Sequence, residues 1–132
     1  MITVLFACVH NAGRSQIAAA VFNRHADPTK ARAISAGTQP AGRVHPEVVA
    51  VMRERGIDLA NQQPQKLTAA LAADVQWLIT MGCGDECPVV PGTTRADWPL
   101  ADPKGQTMDA VREIADEVNR RVLALISDHG WR

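Results

Sequence analysis

A continuous apolar and β-branched run, Ile2–Ala7, leads directly into residues 8–15, which read Cys-Val-His-Asn-Ala-Gly-Arg-Ser. Such a run predicts a central parallel strand that is covered on both faces. Apolar residues then recur at helical spacing over Ser15–Phe22, so a helix is expected immediately after this segment. A short loop between a buried strand and a helix N-terminus presents backbone N–H groups to an anion. Residues 8–15, called the oxyanion loop below, are therefore predicted to bind a tetrahedral oxyanion.

Side chains of the oxyanion loop suit nucleophilic chemistry on such an anion. Arg14 can bind two oxygens at once, and a thiol such as that of Cys8 is reactive beside an arginine and a helix N-terminus. We expect Ser15 to donate a hydrogen bond to the thiolate. Asn11 tolerates left-handed backbone geometry and Gly13 permits a tight turn.

The remaining loop residues are expected to contribute mainly through the backbone. Val9 and Ala12 would present N–H groups to the anion. His10 is expected on the exterior of the loop, with a direct catalytic role as the alternative. The alternative reading, a buried and inert Cys8 with an unrelated surface Arg14, is disfavoured by the flanking strand and helix.

Predicted strands and helices alternate along the rest of the chain. The predicted elements are a strand at Ala31–Ala36, a helix at His45–Arg55, a short helix at Leu67–Ala73, a strand at Val75–Met81, a short strand near Thr94–Trp98 and a helix at Met108–Ile126. This order indicates one α/β domain over residues 1–132, with a four-stranded parallel sheet and helices on both faces. Ligands bind beyond the carboxyl ends of such strands, so the long loop 82–104 should meet Cys8 there.

A leaving oxygen must be protonated, and Asp102, followed by Pro103, is the candidate acid. Asp-Pro is also a common turn pair, so a purely structural role stays open for Asp102. Asp97 is a weaker rival for the same role.

Cys83 and Cys87 lie in the long loop and leave several interpretations open. They could exchange disulfides with Cys8, or they could be incidental thiols. Two cysteines without a nearby histidine pair make a poor zinc site, so no metal site is predicted.

Composition limits the partners of this chain. Formal net charge is +0, so no bulk field favours nucleic acid or a membrane surface. No apolar run is long enough to span a bilayer or to act as a secretion signal. An odd number of cysteines, 3, argues against a purely structural disulfide framework. We therefore expect a cytoplasmic protein.

Three motifs together resemble the low-molecular-weight protein tyrosine phosphatase fold, and the resemblance spans essentially the whole chain. They are Cys-x5-Arg-Ser at Cys8–Ser15, Ser-Ala-Gly at 35–37 and Asp-Pro at 102–103. The segments 83–91 and 98–105 are more similar to the arsenate reductases of that fold. The resemblance implies that Cys8 is the nucleophile, that Arg14 and the backbone of residues 9–13 bind the oxyanion, and that Asp102 is the general acid. Ser15 and Asn11 would support the loop.

Several residues of this sequence differ from those of the thioredoxin-coupled arsenate reductases, and the differences indicate which branch the chain resembles. Thioredoxin-coupled members have later cysteines farther apart than Cys83 and Cys87, and several have a cysteine where this chain has Gly13. Their potassium site uses a glutamate at the position of Ala19, so that site is not expected here. The segments 8–15 and 81–88 look most like the mycothiol-dependent branch. This implies arsenate as substrate, mycothiol as co-substrate with no tightly bound cofactor, and mycoredoxin as the reducing partner.

Other functions remain open at this point. One is a thioredoxin-coupled reductase with a relay of Cys8, Cys83 and Cys87. Another is a phosphotyrosine phosphatase, although the chain has no tyrosine and Lys104 and Gly105 follow the acid motif, where related phosphatases carry aromatic residues. A third is a sensor that binds oxyanions or trivalent arsenic without turnover.

Overall fold

The computed structural model describes residues 1–82 and 92–132. In these residues strands and helices alternate along the chain. The elements are β1 Ile2–Cys8, α1 Arg14–His25, β2 Ala31–Gly37, α2 Pro46–Glu54, α3 Ala69–Ala73, β3 Trp77–Thr80, β4 Thr94–Asp97 and α4 Met108–His129. The alternation confirms the predicted α/β class.

The four strands form one parallel sheet in the order β2-β1-β3-β4. Cys8 pairs in register with Gly37, and Ala7 pairs with Thr80. The carboxyl ends of β1, β2 and β3 therefore meet at one edge of the sheet. The segments that follow these strands are brought together there, as expected for this class of sheet.

Alternation along β1 divides the core between the two faces of the sheet. Val4 and Phe6 pack with buried residues of α1, α2 and α4. Leu5 and Ala7 pack on the opposite face with a smaller cluster that includes Ala72 of α3. Both faces are covered, as predicted, but three helices cover one face and a short helix covers the other. Full burial of a side chain such as that of Phe6 contributes about 1.5–3 kcal/mol.

Helix α4 buries a stripe of apolar residues at helical spacing and has clear signals at both ends. The hydroxyl of Thr107 accepts a hydrogen bond from the Ala110 amide at 3.2 Å, and Gly130 ends the helix with a positive φ of 68°. Because a left-handed glycine ends the helix, α4 extends to His129, beyond the predicted limit at Ile126. No helix in the described residues is both long and apolar enough to cross a membrane.

Candidate active site

The oxyanion loop joins the carboxyl end of β1 to the first turn of α1. Cys8 is the last residue of β1 and is 2% exposed, while Arg14 begins α1. The Cys8 Sγ atom lies 2.8 Å from the Ser15 Oγ atom, which confirms the predicted contact. Gly13 occupies the N-cap position and no side chain caps the helix. The first-turn N–H groups therefore remain available to an anion.

Carbonyl groups of the loop are bound from outside it. Each accepts a hydrogen bond from a neighbouring segment, namely Cys8 O from Thr38 N, Val9 O from Gln39 N, His10 O from Ala41 N, Ala12 O from His45 N and Gly13 O from Ile17 N. Among the described residues, the amide N–H groups of residues 10–13 donate to no protein acceptor. With its carbonyls bound elsewhere, the loop can use its N–H groups to bind an oxyanion.

Asn11 is the left-handed residue of the loop, with a φ of 49°, as predicted. Its side chain is fully buried, and its Nδ2 group donates to Ser15 Oγ at 2.7 Å. The Asn11 Oδ1 atom accepts a hydrogen bond from the main-chain N–H of Gln65 at 3.0 Å. Because Ser15 Oγ already accepts from Asn11, its own hydrogen can point to the Cys8 sulfur, which suits a thiolate.

Arg14 is a buried cation with unused hydrogen-bonding capacity. It is 6% exposed, and its Nη1 group donates to the Leu100 carbonyl at 3.0 Å. Its Nε atom is buried and has no hydrogen-bond partner among the described residues. A buried guanidinium is costly unless an anion compensates it. This arrangement therefore suits a tetrahedral oxyanion bound through several N–H groups.

Gly13 has a different role from the one that its sequence position suggested. Its φ is −145°, so the left-handed residue of the turn is Asn11, and Gly13 is needed for a second reason. A Cβ atom at Gly13 would lie 2.5 Å from the Cγ atom of Pro103. Glycine is required because Pro103 packs directly against the loop.

Asp102 directly precedes Pro103, the residue that packs against Gly13 of the oxyanion loop. It is half-buried, and its Oδ1 atom accepts from the Lys104 amide at 3.0 Å. Its charge acts on His45, a half-buried residue that the sequence analysis did not single out as a site residue. Burial lowers the pKa of His45, an effect that Asp102 and Glu47 oppose. The segment that carries Asp102 therefore lies against the loop through Pro103, while the catalytic role of Asp102 remains a prediction.

Two other candidates occupy structural positions. The carboxylate of Asp97 accepts a hydrogen bond from Thr80 Oγ1 at 2.7 Å, within the β3–β4 pairing. The His10 ring lies 3.2 Å from the Gln39 carbonyl, on the exterior of the loop as expected. The Asp97 carboxylate is therefore engaged within the sheet, and Asp102 stays the candidate acid.

Cys83 and Cys87 lie outside the described residues. Within residues 1–82 and 92–132, no group of three or more His, Cys, Asp or Glu side chains is arranged to hold a metal ion. Cys8 is a free thiol. The chemistry that the described residues support is therefore that of a single nucleophile.

Sequence reasoning missed several residues that complete the site. Gln16 is buried and binds Asn11 through its side-chain amide, and Gly82 passes so close to Arg14 that a Cβ there would lie 2.4 Å from Nη1. The position of Gln16 directly after the Arg-Ser pair of the loop was the available sequence signal. No sequence signal pointed to Leu100, because its backbone carbonyl makes the contact.

The site combines a buried thiol with a serine hydroxyl in hydrogen-bond contact. It also combines loop N–H groups that have no protein acceptor among the described residues with a buried arginine. These features define a class of enzymes that use a cysteine nucleophile on a bound oxyanion. Residues 3–129 match the family described as low molecular weight phosphotyrosine protein phosphatase. The chain belongs to this family, within its arsenate reductase branch. This confirms the family resemblance drawn from the loop motifs.

Relatives in that branch cover nearly the whole chain. A putative arsenate reductase of Halobacterium salinarum is 37% identical over 93% of this chain and 89% of its own length. A glutaredoxin arsenate reductase of Synechocystis is 35% identical over 94% and 95%. A thioredoxin-dependent arsenate reductase of Corynebacterium glutamicum superposes with a TM-score of 0.84 at 39% identity, over 97% of this chain. This chain spans 61% of that longer protein.

Proposed function

We propose that this protein reduces arsenate, with the Cys8 thiolate attacking arsenic in the oxyanion loop. The observation that carries the proposal is the buried Arg14, whose Nε group lacks a protein partner in the described residues. Arg14 is the first residue of α1 and directly precedes Ser15, whose hydroxyl contacts the Cys8 thiol. Arginine and the loop N–H groups would bind the arsenate oxygens. The identities of 35–39% to arsenate reductases support the choice of anion.

In the proposed first step, a sulfur–arsenic bond forms at Cys8 and an arsenic–oxygen bond breaks. Asp102 would donate a proton to the departing oxygen, which leaves as water or hydroxide. The placement of Pro103 against Gly13 supports this assignment, because it brings the acid segment onto the loop. Arsenic remains pentavalent at this stage.

Mycothiol is proposed as the thiol that then takes the arsenic from Cys8. The proposal rests on the likeness of segments 8–15 and 81–88 to the mycothiol-dependent branch. Mycoredoxin would reduce the arseno-mycothiol adduct, supplying two electrons that convert arsenic to arsenite. Cys83 and Cys87 are not required in this scheme, and no tightly bound cofactor takes part.

A relay of Cys8, Cys83 and Cys87 reduced by thioredoxin is the second candidate. It is favoured by the solved relative from Corynebacterium glutamicum, which is described as thioredoxin-dependent. A phosphatase acting on aryl phosphates is less well supported. Trp98, the aromatic residue nearest to Asp102 in the sequence, packs instead on Phe6 at 5.8 Å between ring centroids.

Arsenate turnover measured with alternative reductants tests these proposals. We expect arsenite production with mycothiol and mycoredoxin, its loss in Cys8→Ser, and its retention in the double variant Cys83→Ser, Cys87→Ser. Turnover only with thioredoxin and its reductase, together with loss in the double variant, would replace the transferase scheme by the relay. An aryl phosphate assay in the same preparation would reveal a phosphatase if both arsenate arms are silent.

A further inference from the structure

Gln16 is buried and uncharged, yet its side chain binds the oxyanion loop. It is 5% exposed and belongs to the first turns of α1. Its Nε2 group lies 3.2 Å from the main-chain oxygen of Asn11 and 3.3 Å from its Oδ1 atom. One amide group thus bridges the backbone and the side chain of a single loop residue.

Asn11 is the residue whose conformation needs such support. Its φ of 49° is a left-handed backbone conformation that L-residues rarely adopt, and residues in such regions persist only where their surroundings over-determine them. The Gln16 side chain donates to both the main-chain and the side-chain oxygen of Asn11. The main-chain N–H of Gln65 also donates to the side-chain oxygen. Loss of the Gln16 donor would leave the buried main-chain oxygen of Asn11 without this hydrogen bond, and Oδ1 would keep only the Gln65 main-chain N–H, which is costly for buried acceptors.

The contacts of Asn11 continue to the nucleophile. Asn11 donates to Ser15 Oγ at 2.7 Å, and Ser15 Oγ lies 2.8 Å from Cys8 Sγ. Such a chain of hydrogen bonds is cooperative, since each member orients the next. We propose that Gln16 is a positioning residue, which keeps Asn11 and Ser15 oriented so that a hydrogen bond stabilises the Cys8 thiolate. The inference rests on the proposed role of Cys8 as nucleophile, but not on arsenate being its substrate.

The surroundings of Gln16 supply a matched control. Gln16 also lines a cavity of about 370 Å³ between α1, β2 and residues 57–65, where Gln63 lines the same cavity. Gln63 is exposed, and no side-chain contact links it to Asn11 in the described residues. A substitution at Gln63 therefore changes the cavity while leaving the contacts of the nucleophile intact.

The test measures alkylation of Cys8 by iodoacetamide as a function of pH, with the modified Cys8 peptide quantified by mass spectrometry. Gln16→Met keeps the side-chain length and removes the donor without adding charge. We expect the pH midpoint of alkylation to rise by about one unit, which is about a tenfold slower reaction below the midpoint. Gln16→Glu should raise the midpoint further, because its carboxylate faces two acceptors. Gln63→Met should behave as the wild type.

A conservative rescue separates positioning from a general structural role. Gln16→Lys restores a donor to Asn11 and should keep the midpoint at or below the wild-type value. Equal midpoints for the wild type, Gln16→Met and Gln16→Glu would overturn the inference, even if the reaction slowed uniformly at every pH. If Gln16→Met does not fold, equal midpoints for the Glu and Lys variants would overturn it instead. Absence of arsenate turnover in a wild type whose alkylation follows this pattern would count against the proposed function alone.

Discussion

The Ser15 hydroxyl lies 2.8 Å from the Cys8 thiol and at the same time accepts a hydrogen bond from Asn11. This leaves the hydroxyl hydrogen to the sulfur, so Ser15 is a donor to the thiolate. The contact is fully buried at Ser15, where water cannot replace it. The reactivity of Cys8 should therefore depend on Ser15.

Substitution of Ser15 by alanine is expected to slow the attack of Cys8 by about tenfold to a hundredfold. Hydrogen bonds to charged groups are worth about 1.5–3 kcal/mol, and each 1.36 kcal/mol is about tenfold in rate. Single-turnover rates with arsenate would measure the effect. Ser127→Ala, at an exposed position of α4, is the control, and equal rates in the two variants would contradict this role for Ser15.

Alanine at Gly13 is expected to separate the acid segment from the loop. The new Cβ would lie 2.5 Å from the Pro103 Cγ atom, so Pro103 and Asp102 must move. Overpacking of this kind costs about 1–3 kcal/mol. We expect a large fall in kcat with a smaller change in KM, measured by steady-state kinetics.

Gly42→Ala is the matched control for that variant, because a Cβ at Gly42 would have no atom within 4 Å in the part of the chain that the structure describes, its chain neighbours aside. Normal kcat in Gly13→Ala would show that the contact of Pro103 with the loop is not needed for turnover.

Alanine at Gly82 is expected to weaken oxyanion binding. Its Cβ would lie 2.4 Å from Arg14 Nη1 and would displace the guanidinium. The φ of +94° adds a backbone penalty of about 1–2 kcal/mol for an L-residue. Gly92→Ala carries the same kind of penalty at a φ of +84°, and its Cβ would have no atom of the described residues within 4 Å beyond its chain neighbours.

Isothermal titration with arsenate and thermal unfolding would compare the two glycine variants. We expect both to lose stability but only Gly82→Ala to lose affinity. Equal affinities would show that the guanidinium of Arg14 tolerates displacement.

Removal of His45 is expected to flatten part of the pH dependence of stability. Burial lowers the pKa of His45 in the folded protein, whereas the unfolded imidazole titrates near its usual pKa of about 6.5. Between these two values the unfolded chain binds more protons, so the free energy of unfolding contributed by His45 rises with pH. This contribution is lost as pH falls through the same window.

Denaturant unfolding of the wild type and His45→Asn across this pH range would measure the difference in slope. The slope is the quantity to compare, because asparagine at the N-cap of α2 can stabilise the helix at every pH. His25→Asn, at an exposed position, is the control. If the free energy of unfolding of His45→Asn changed with pH as steeply as that of the wild type, the lowered pKa of His45 would not be a source of this pH dependence.

Local sequence signals were sufficient for the main elements and for the loop chemistry. The apolar run of β1 and the 3.6-residue stripe of α4 predicted the strand and the helix, because their periodicities follow directly from backbone geometry. Cys8 and Arg14 were identified because a thiol and a guanidinium suit attack on a bound oxyanion. Asn11 was identified because asparagine tolerates a left-handed backbone conformation. Limits of elements were less accurate, as at β3, which spans Trp77–Thr80 instead of the predicted Val75–Met81.

Contacts between distant segments were decided only by the tertiary structure. Parallel pairing of β1 with β2 and β3 brings Gly37 and Gly82 against the oxyanion loop. The sequence predicted that the segment after β3 would approach Cys8, but not which atoms of the loop these two glycines contact. The need for glycine at position 13 arises from Pro103, some ninety residues away along the chain. By itself the sequence determined which side chains are candidates for the chemistry, since reactivity belongs to side chains. The fold decided which backbone and amide groups hold them in place, because such contacts depend on close packing in three dimensions.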